Sequence, residues 1–343
     1  MANIFSKIKV NFNKERFSVG LDIGTQAIKL IKFRFINDVV ELCGFDVEPV
    51  KLDLLEILKR LREKHALELV NIGVSGSQTV IRYVTFPRMN SQELRQALKF
   101  EAQKNIPFNV GEVNLDGCIL KDDLADNKML VLISAAKKDL INQRVKLIEG
   151  SNLLTGTIDM DSIALVNAFT FNNPAFEYSE HKAIALINIG ATVTNLNIVE
   201  SGIPRLSRDV HMGSSNFTQK LMDIFELDLT NAERLKINPD AERASKVKAT
   251  VESVLVNLAN EVRTSFDYYE SQSASSVEKI FLSGGGSNFT DLKAMLSHFL
   301  GIEVEYWDPL KQIGLAENID AKVIKEASNQ LAIAVGLALR CAP

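Results

Sequence analysis

Four residues near the start of the chain have the types and spacing to handle a phosphate: Asp22, Gly24, Thr25 and Lys29, in VGLDIGTQAIK. β-favouring runs, SVGLDI and IKLIKF, flank the Ile-Gly-Thr, so the stretch predicts a β-hairpin whose tight turn is built on Gly24. With no Cβ in the way, backbone N–H groups at such a turn can converge on one anion. Asp22 would repel that anion at close range, so its role is indirect, through a hydrated Mg²⁺. Lys29 can return along the second strand as a positive point charge. An ordinary glycine-containing hairpin would look the same. However, the pattern has an echo, LINIGATVT over 186–194, with Gly190, Thr192 and Thr194 at the turn, and two related hairpins, one in each half of the chain, point to internal duplication.

Three other places carry chemistry. KIFLSGGGSNF reads as a strand running into Gly284, Gly285 and Gly286, which would let backbone approach a flat ligand or a phosphate. The triple glycine has neither the Walker lysine pattern nor the Rossmann spacing. HMGSSNF brings Gly213 and hydroxyl side chains to the start of a helix. Asp159 and Asp161, in TIDMDSIALVNAF, fall at a strand-to-helix junction, where α/β folds often place function; as helix N-caps they would need no further role. Glu233 and Lys236 read as an exposed charged pair.

The elements that position these residues follow in order. Residues 1–16 are basic, with Ile4, Ile8 and Phe12 at helical spacing among Lys7, Lys9, Lys14 and Arg16. They suit either a short helix touching a membrane or partner, or a frayed tail. After the hairpin come a third strand, a helix over 54–64 opened by Asp53 with Glu56 as a capping box, and two strands, LVNIGVSG and TVIRYVTF, joined by a tight turn. A compact unit is expected from Pro87: a helix capped by Asn90 and Glu93, two strands, and a helix ending at Gly150. From Lys182 the topology restarts with three strands, helices opening near Ser214 and at Thr230 or Asn231, a long helix over 241–271, and an apolar closing helix, NQLAIAVGLALR.

Totals narrow the classes. A chain of 343 residues is long enough for about two domains. A net charge of -4 argues against broad nucleic-acid binding. The three cysteines, Cys43, Cys118 and Cys341, lack metal spacing and fit a reducing compartment. The four histidines are scattered singly, which argues against zinc or a histidine triad. No apolar run approaches the roughly 20 residues that span a bilayer, and the N-terminus has no apolar stretch of the kind that directs secretion.

DIGTQAIK, NIGATVT, AERLK and SGGGSNF, in that order, resemble the phosphate and adenosine motifs of the actin-like ATPase superfamily. Within it, LAIAVGLALR and TIDMDSIALVNAF look like the PilM family of type IV pilus assembly. The resemblance covers nearly the whole chain. It implies an α/β, ribonuclease H-like, two-lobed fold with an inserted α+β subdomain. The corresponding partition is a basic arm (1–16), a first-lobe core (17–87 and 153–180), an insertion (88–152), a second-lobe core (181–229 and 277–343) and a helical subdomain (230–276). It further implies ATP and Mg²⁺ at the base of a cleft. Asp22, Gly24, Thr25 and Lys29 match the first phosphate motif, with Asp22 toward the metal. Gly190, Thr192 and Thr194 match the second, and Gly213 the glycine before the following helix. Glu233 and Lys236 match the helix that holds ribose and adenine, and Gly284, Gly285 and Gly286 the adenosine loop. Asp161 lies near the position that orients water.

The chain departs from that pattern at Asn188, where the second motif usually carries aspartate. An amide holds hydrated Mg²⁺ or attacking water less well, so binding would survive while hydrolysis is slow or absent. The family implies a cytoplasmic scaffold, peripheral at the inner membrane, that holds the short cytoplasmic tail of a PilN-like membrane protein. Val84, Phe86 and the helix over 92–105 are candidates for that dock. A pilus motor ATPase and self-association are further contacts the family suggests. A turning-over ATPase of the cell-division (FtsA-like) or type II secretion type is the alternative; a sugar kinase of the same superfamily would need a catalytic aspartate in the first lobe, and none stands out.

Overall fold

The computed structural model describes residues 15–36, 39–174, 176, 183–273, 275–289 and 291–340. The basic arm read over 1–16 therefore lies almost wholly outside the described residues, as do Cys341 and His181. In chain order the elements are β1 (Arg16–Ile23), β2 (Ala27–Ile36), β3 (Val39–Pro49), α1 (Leu54–His65), β4 (Leu69–Val74), β5 (Thr79–Pro87), α2 (Ser91–Asn105), β6 (Val113–Leu124), β7 (Lys128–Lys137), α3 (Lys138–Gly150), β8 (Leu154–Met160) and α4 (Asp161–Asn172). The second half follows with β9 (Ala183–Ile189), β10 (Thr194–Glu200), β11 (Ile203–Val210), α5 (Ser214–Phe225), α6 (Leu229–Ile237), α7 (Ala244–Gln272), β12 (Val277–Ser283), α8 (Leu292–Leu300), β13 (Glu303–Tyr306), β14 (Gly314–Leu315), α9 (Ala321–Ala327) and α10 (Ala332–Ala338).

The duplication is visible in the sheets. One has the order β14-β3-β2-β1-β4-β8, the other β11-β10-β9-β12-β13. In each, an antiparallel meander of three strands is extended by two parallel strands on the side of its first strand. The two halves thus present equivalent hairpins, β1–β2 and β9–β10, as the hearts of two lobes.

α4 and α10 fill the space between the sheets. α4 is buried nearly all round and α10 entirely so, as expected of helices without a polar face. They pack with Phe33 and Ile31 of β2 on one side and Ile184, Leu186 and Phe281 of the second sheet on the other. The helices approach closely enough that a Cβ on Gly336 would stand 1.8 Å from the Ala164 carbonyl oxygen, and one on Gly20 would stand 2.1 Å from that of Ala334. On the outer face of the first sheet, Ile57, Leu58 and Leu61 of α1 and Ile148 of α3 cover β1 and β2. On the outer face of the second, α5, α7 and α8 do the same work.

Several local expectations change. The strand Thr79–Pro87 does not form a hairpin with Leu69–Val74. β4 lies between β1 and β8, whereas β5 pairs with β7 in a separate three-stranded sheet, β5-β7-β6, covered by α2. Gly76, at φ +93°, makes the break, and Phe86 packs with Leu94, Leu98 and Ala102 of α2. Alternating apolar residues identify a strand but not the sheet it joins. Asp53 caps α1 through Leu55 N without a capping box, whereas α2 has the full box of Asn90 and Glu93. α6 is capped by Asp228, two residues before the hydroxyl and three before the amide expected to do so. α3 runs through Gly150, and the left-handed residue beyond it is Asn152.

Candidate functional site

The two hairpin turns meet: Thr25 Oγ1 and Thr192 Oγ1 are 3.4 Å apart, and Gln26 Nε2 donates to Ser215 Oγ at 3.2 Å. Each turn is closed by its glycine, Gly24 N to Ala27 O and Gly190 N to Val193 O. Neither glycine needs a positive φ. Each lacks a Cβ because one would come within 2.8 Å of the Ala27 oxygen or 2.7 Å of the Val193 oxygen. The hydroxyls of Thr25 and Thr192 are exposed. Thr194, by contrast, is fully buried and donates to Met212 O at 2.8 Å, so it shapes the second turn and does not face the cleft.

Behind the turns the two hairpins differ. Asp22 stands opposite Lys29 in the β1–β2 register, and Lys29 Nζ lies 3.0 Å from Asp22 Oδ2. Both side chains are largely shielded, so the lysine has a charged partner and yet sits beside Gly24, whose Cβ would meet Nζ at 3.0 Å. An anion between the turns could draw Lys29 away from Asp22. The freed carboxylate suits Mg²⁺, which binds one or two carboxylates together with phosphate oxygens and water. Among the described residues no group of three or more His, Cys, Asp or Glu could hold a metal.

At the equivalent place in the second hairpin, Asn188 stands opposite Asn195 and donates to its Oδ1 at 3.2 Å. Ser283 Oγ donates to Asn188 Oδ1 at 3.2 Å, and Asn195 Nδ2 donates to Asp209 Oδ1 at 2.8 Å. Both ends of the Asn188 amide are thus engaged within the lobe.

Asp161 is the first residue of α4, yet the helix has no side-chain cap. Asp161 and Asp159 do not play the N-cap role. Asp159 accepts from Arg340 Nε at 2.7 Å. Asp161 sits against Gly73, where an added Cβ would be 2.0 Å from its Oδ1. Burial, then the nearby charges of Asp22 and Asp209, push its carboxyl up to about 7, against a Ser75 hydrogen bond and Arg144. A carboxyl so placed can hold or release a proton near neutral pH.

Gly213 precedes α5 and nests on the second turn, its absent Cβ 2.6 Å from Gly190 O and Ala191 O. Ser214 N and Ser215 N donate to those carbonyls. The Glu233–Lys236 pair is not the exposed pair its sequence setting suggested: Lys236 is buried and Glu233 half-buried. Lys236 Nζ reaches Glu233 Oε2 and Thr218 Oγ1, both at 2.7 Å, and Lys236 is 6% exposed. Burial holds its pKa below the usual lysine value, with Glu233 opposing. The pair joins α6 to α5.

In the triple glycine, Gly284 has φ +98° and a Cβ there would be 2.3 Å from Ile189 O, so it permits only glycine. Gly286 packs on Ile189 and Gly190 in the same way, whereas a Cβ on Gly285 would meet nothing nearer than Gln330 at 3.5 Å. Two of the glycines therefore bring the loop against the second turn, and the third leaves space. Of the dock residues, Phe86 is core and 3% exposed, so only Val84 and the outer face of α2 remain open to a partner; that face displays Phe100, 76% exposed. Sequence reasoning passed over Asn195, Asp209 and Ser283. Their signal lay in register: once β9 and β10 form a hairpin about Gly190, residue 195 must face residue 188.

Comparison with known proteins bears on the chain as a whole. The family model described as type IV pilus assembly protein PilM matches residues 20–342. A solved structure of a PilM-PilN type IV pilus biogenesis complex is 24% identical, covers 94% of this chain and 98% of that chain, and superposes with a TM-score of 0.83. The ethanolamine utilization protein EutJ from Carboxydothermus hydrogenoformans is 16% identical over 96% of this chain and 92% of its own, with a TM-score of 0.57. MreB5 of Spiroplasma citri bound to ADP is matched more distantly, at 12% identity, 94% and 95% coverage and a TM-score of 0.47.

Proposed function

Because the chain belongs to the type IV pilus assembly protein PilM family and has its actin-like fold, we propose that it is an ATP-binding scaffold. It holds the short cytoplasmic tail of a PilN-like inner-membrane protein and hydrolyses ATP slowly at most. The observation that carries the nucleotide part is the pair of facing turns, Thr25 against Thr192, with Lys29 behind one and the Gly284–Gly286 loop beside the other. Lys29 and the threonine hydroxyls would hold the phosphates, Asp22 the Mg²⁺ shell, and Gly285 would lie under the nucleoside. The bound metal would offset phosphate charge. In the absence of a carboxylate at position 188, water beside the last phosphate is poorly oriented, and orientation counts chiefly in the transition state.

The partner part rests on the family and on the likeness to a PilM-PilN complex. No helix among the described residues is long and apolar enough to cross a membrane, so a bound tail would supply membrane attachment. The exposed face of α2, with Phe100 among Arg95, Lys99 and Lys104, suits an apolar segment with acidic flanks. Two variants separate the parts. Gly285→Val should abolish ATP binding while leaving the melting temperature unchanged, because its Cβ has room. Phe100→Glu, at an exposed position on α2, should release the protein from the membrane fraction. ATP binding that survives Gly285→Val would overturn the placement of the nucleotide, and membrane recruitment that follows residues 1–16 would overturn that of the partner.

A further inference from the structure

One rung of side chains runs across the second sheet at right angles to its strands. Ser283, Asn188, Asn195 and Asp209 are register partners on β12, β9, β10 and β11. Each is hydrogen-bonded to the next, Ser283 Oγ to Asn188 Oδ1, Asn188 Nδ2 to Asn195 Oδ1 and Asn195 Nδ2 to Asp209 Oδ1, at 3.2, 3.2 and 2.8 Å. The rung starts beside both ligand loops, since Ser283 immediately precedes Gly284 and Asn188 lies two residues before Gly190.

At its far end the rung leaves the second lobe. Asp209 Oδ2 accepts from Gly76 N at 2.7 Å, and Oδ1 accepts from Ser162 Oγ of α4 at 3.3 Å. Gly76 is the turn that swings the chain into β5, and its carbonyl takes both Thr79 N and Thr79 Oγ1. Two residues back along β11, Ser207 Oγ donates to Asn197 Oδ1 at 2.5 Å, which leaves its lone pairs for Tyr83 OH of β5 at 2.7 Å. β5 and β11 do not pair through main chain. A cavity of about 180 Å³, lined in part by Gly76, Ser162, Ser207 and Asp209, separates them. Among the described residues, the hydrogen bonds from β5 and its entry turn to β11 each end on a β11 side chain, Asp209 or Ser207.

We propose that this rung is an inter-lobe clasp that transmits occupation of the nucleotide loops to β5 and so to the sheet that carries α2. This rests on the nucleotide reading above. Asp209 can take donors from Gly76 and Ser162 of the first lobe only while the lobes hold this mutual position, and its other bond is to the amide chain anchored at the ligand loops. A ligand that fixes those loops fixes the carboxylate, and the carboxylate fixes the start of β5. Nucleotide and clasp then favour the same lobe arrangement, which is the condition for coupling between sites.

Hydrogen exchange of the full chain with and without ATP and Mg²⁺ tests this, alongside calorimetry on the same samples. In the unaltered protein, ATP should slow exchange of the amides of residues 79–87 by about 10-fold, a coupling of about 1.4 kcal/mol. Asp209→Asn, with one acceptor oxygen for three donors, should bind ATP no more than about 10-fold more weakly, the reciprocal of that coupling, and at saturating ATP lose that slowing. Tyr83→Phe, which removes only the second tie, should keep part of it. ATP binding without slower exchange at 79–87 in the unaltered chain, or undiminished slowing in both variants, would overturn the clasp and leave the nucleotide reading standing. Failure of the folded, unaltered chain to bind ATP would overturn both.

Discussion

The two hairpins share a backbone and differ in charge. In the first, a carboxylate and an ammonium face each other two residues before the glycine of the turn; in the second, two carboxamides do. The ion pair is local and can be broken by a stronger anion, because Lys29 trades one charged partner for another. The amide pair is one link of a four-residue chain that ends in the opposite lobe. On the function proposed above, the pair behind the first turn serves the ligand and the pair behind the second serves the connection between the lobes. An amide suits the second task, since it both donates and accepts, whereas an ionised carboxylate only accepts.

The comparison breaks most visibly at Lys29. Lys29→Ala should weaken ATP binding roughly 30- to 100-fold, about 2–3 kcal/mol, by removing a charge-assisted contact and leaving Asp22 unpaired near the phosphates. Asn195→Ala should change ATP affinity by less than about 3-fold. Equal losses measured by calorimetry would show that the hairpins are not specialised.

Asp161, near the charge of Asp22, sharpens the picture of the first hairpin. Its folded pKa of about 7 lies above the unfolded value near 3.8, so the folded form holds the proton more tightly. Stability from this group is therefore full below about pH 4 and is lost as pH rises through about 7. With Asp161 only half-buried, the cost at pH 8 should be about 1–3 kcal/mol. Asp161→Asn should raise stability at pH 8 by that amount and leave it nearly unchanged near pH 4 in urea titrations without nucleotide. An equal gain at both pH values would mean that the carboxyl titrates normally.

The smallest expected effect is at Asn188. Asn188→Asp should raise the single-turnover hydrolysis rate about 10-fold, some 1.4 kcal/mol of barrier, with ATP affinity within about 3-fold. It should also disturb the rung, because an Asn195 amide turned toward a carboxylate at 188 would present its oxygen to Asp209. Equal rates with bound ATP confirmed would make Asn188 an ordinary turn residue.

Much of this was legible before the structure. Short apolar runs around single glycines mark hairpins strongly, and both turns fall where β1–β2 and β9–β10 put them. The apolar repeat of LAIAVGLALR marked a core helix, although not its place between two sheets. β5 was misassigned because alternation specifies a face and not a partner strand. Glu233 and Lys236 looked exposed because their burial comes from Thr218 on another helix. Asp209 was passed over for a related reason: a lone aspartate in IPRLSRDV reads as a solvated strand residue, and only the registers of three strand pairs align it with Asn195, Asn188 and Ser283.

A structure of the chain with a non-hydrolysable ATP analogue and Mg²⁺ tests the contrast between the hairpins most directly. The terminal phosphate should lie against Thr25 and Thr192, Lys29 Nζ should have left Asp22 for a phosphate oxygen at about 2.8 Å, and Asn188 should keep its bonds to Ser283 and Asn195. A nucleotide bound elsewhere, or an Asn188 turned from Asn195 onto the phosphate while Lys29 stays on Asp22, would contradict that contrast.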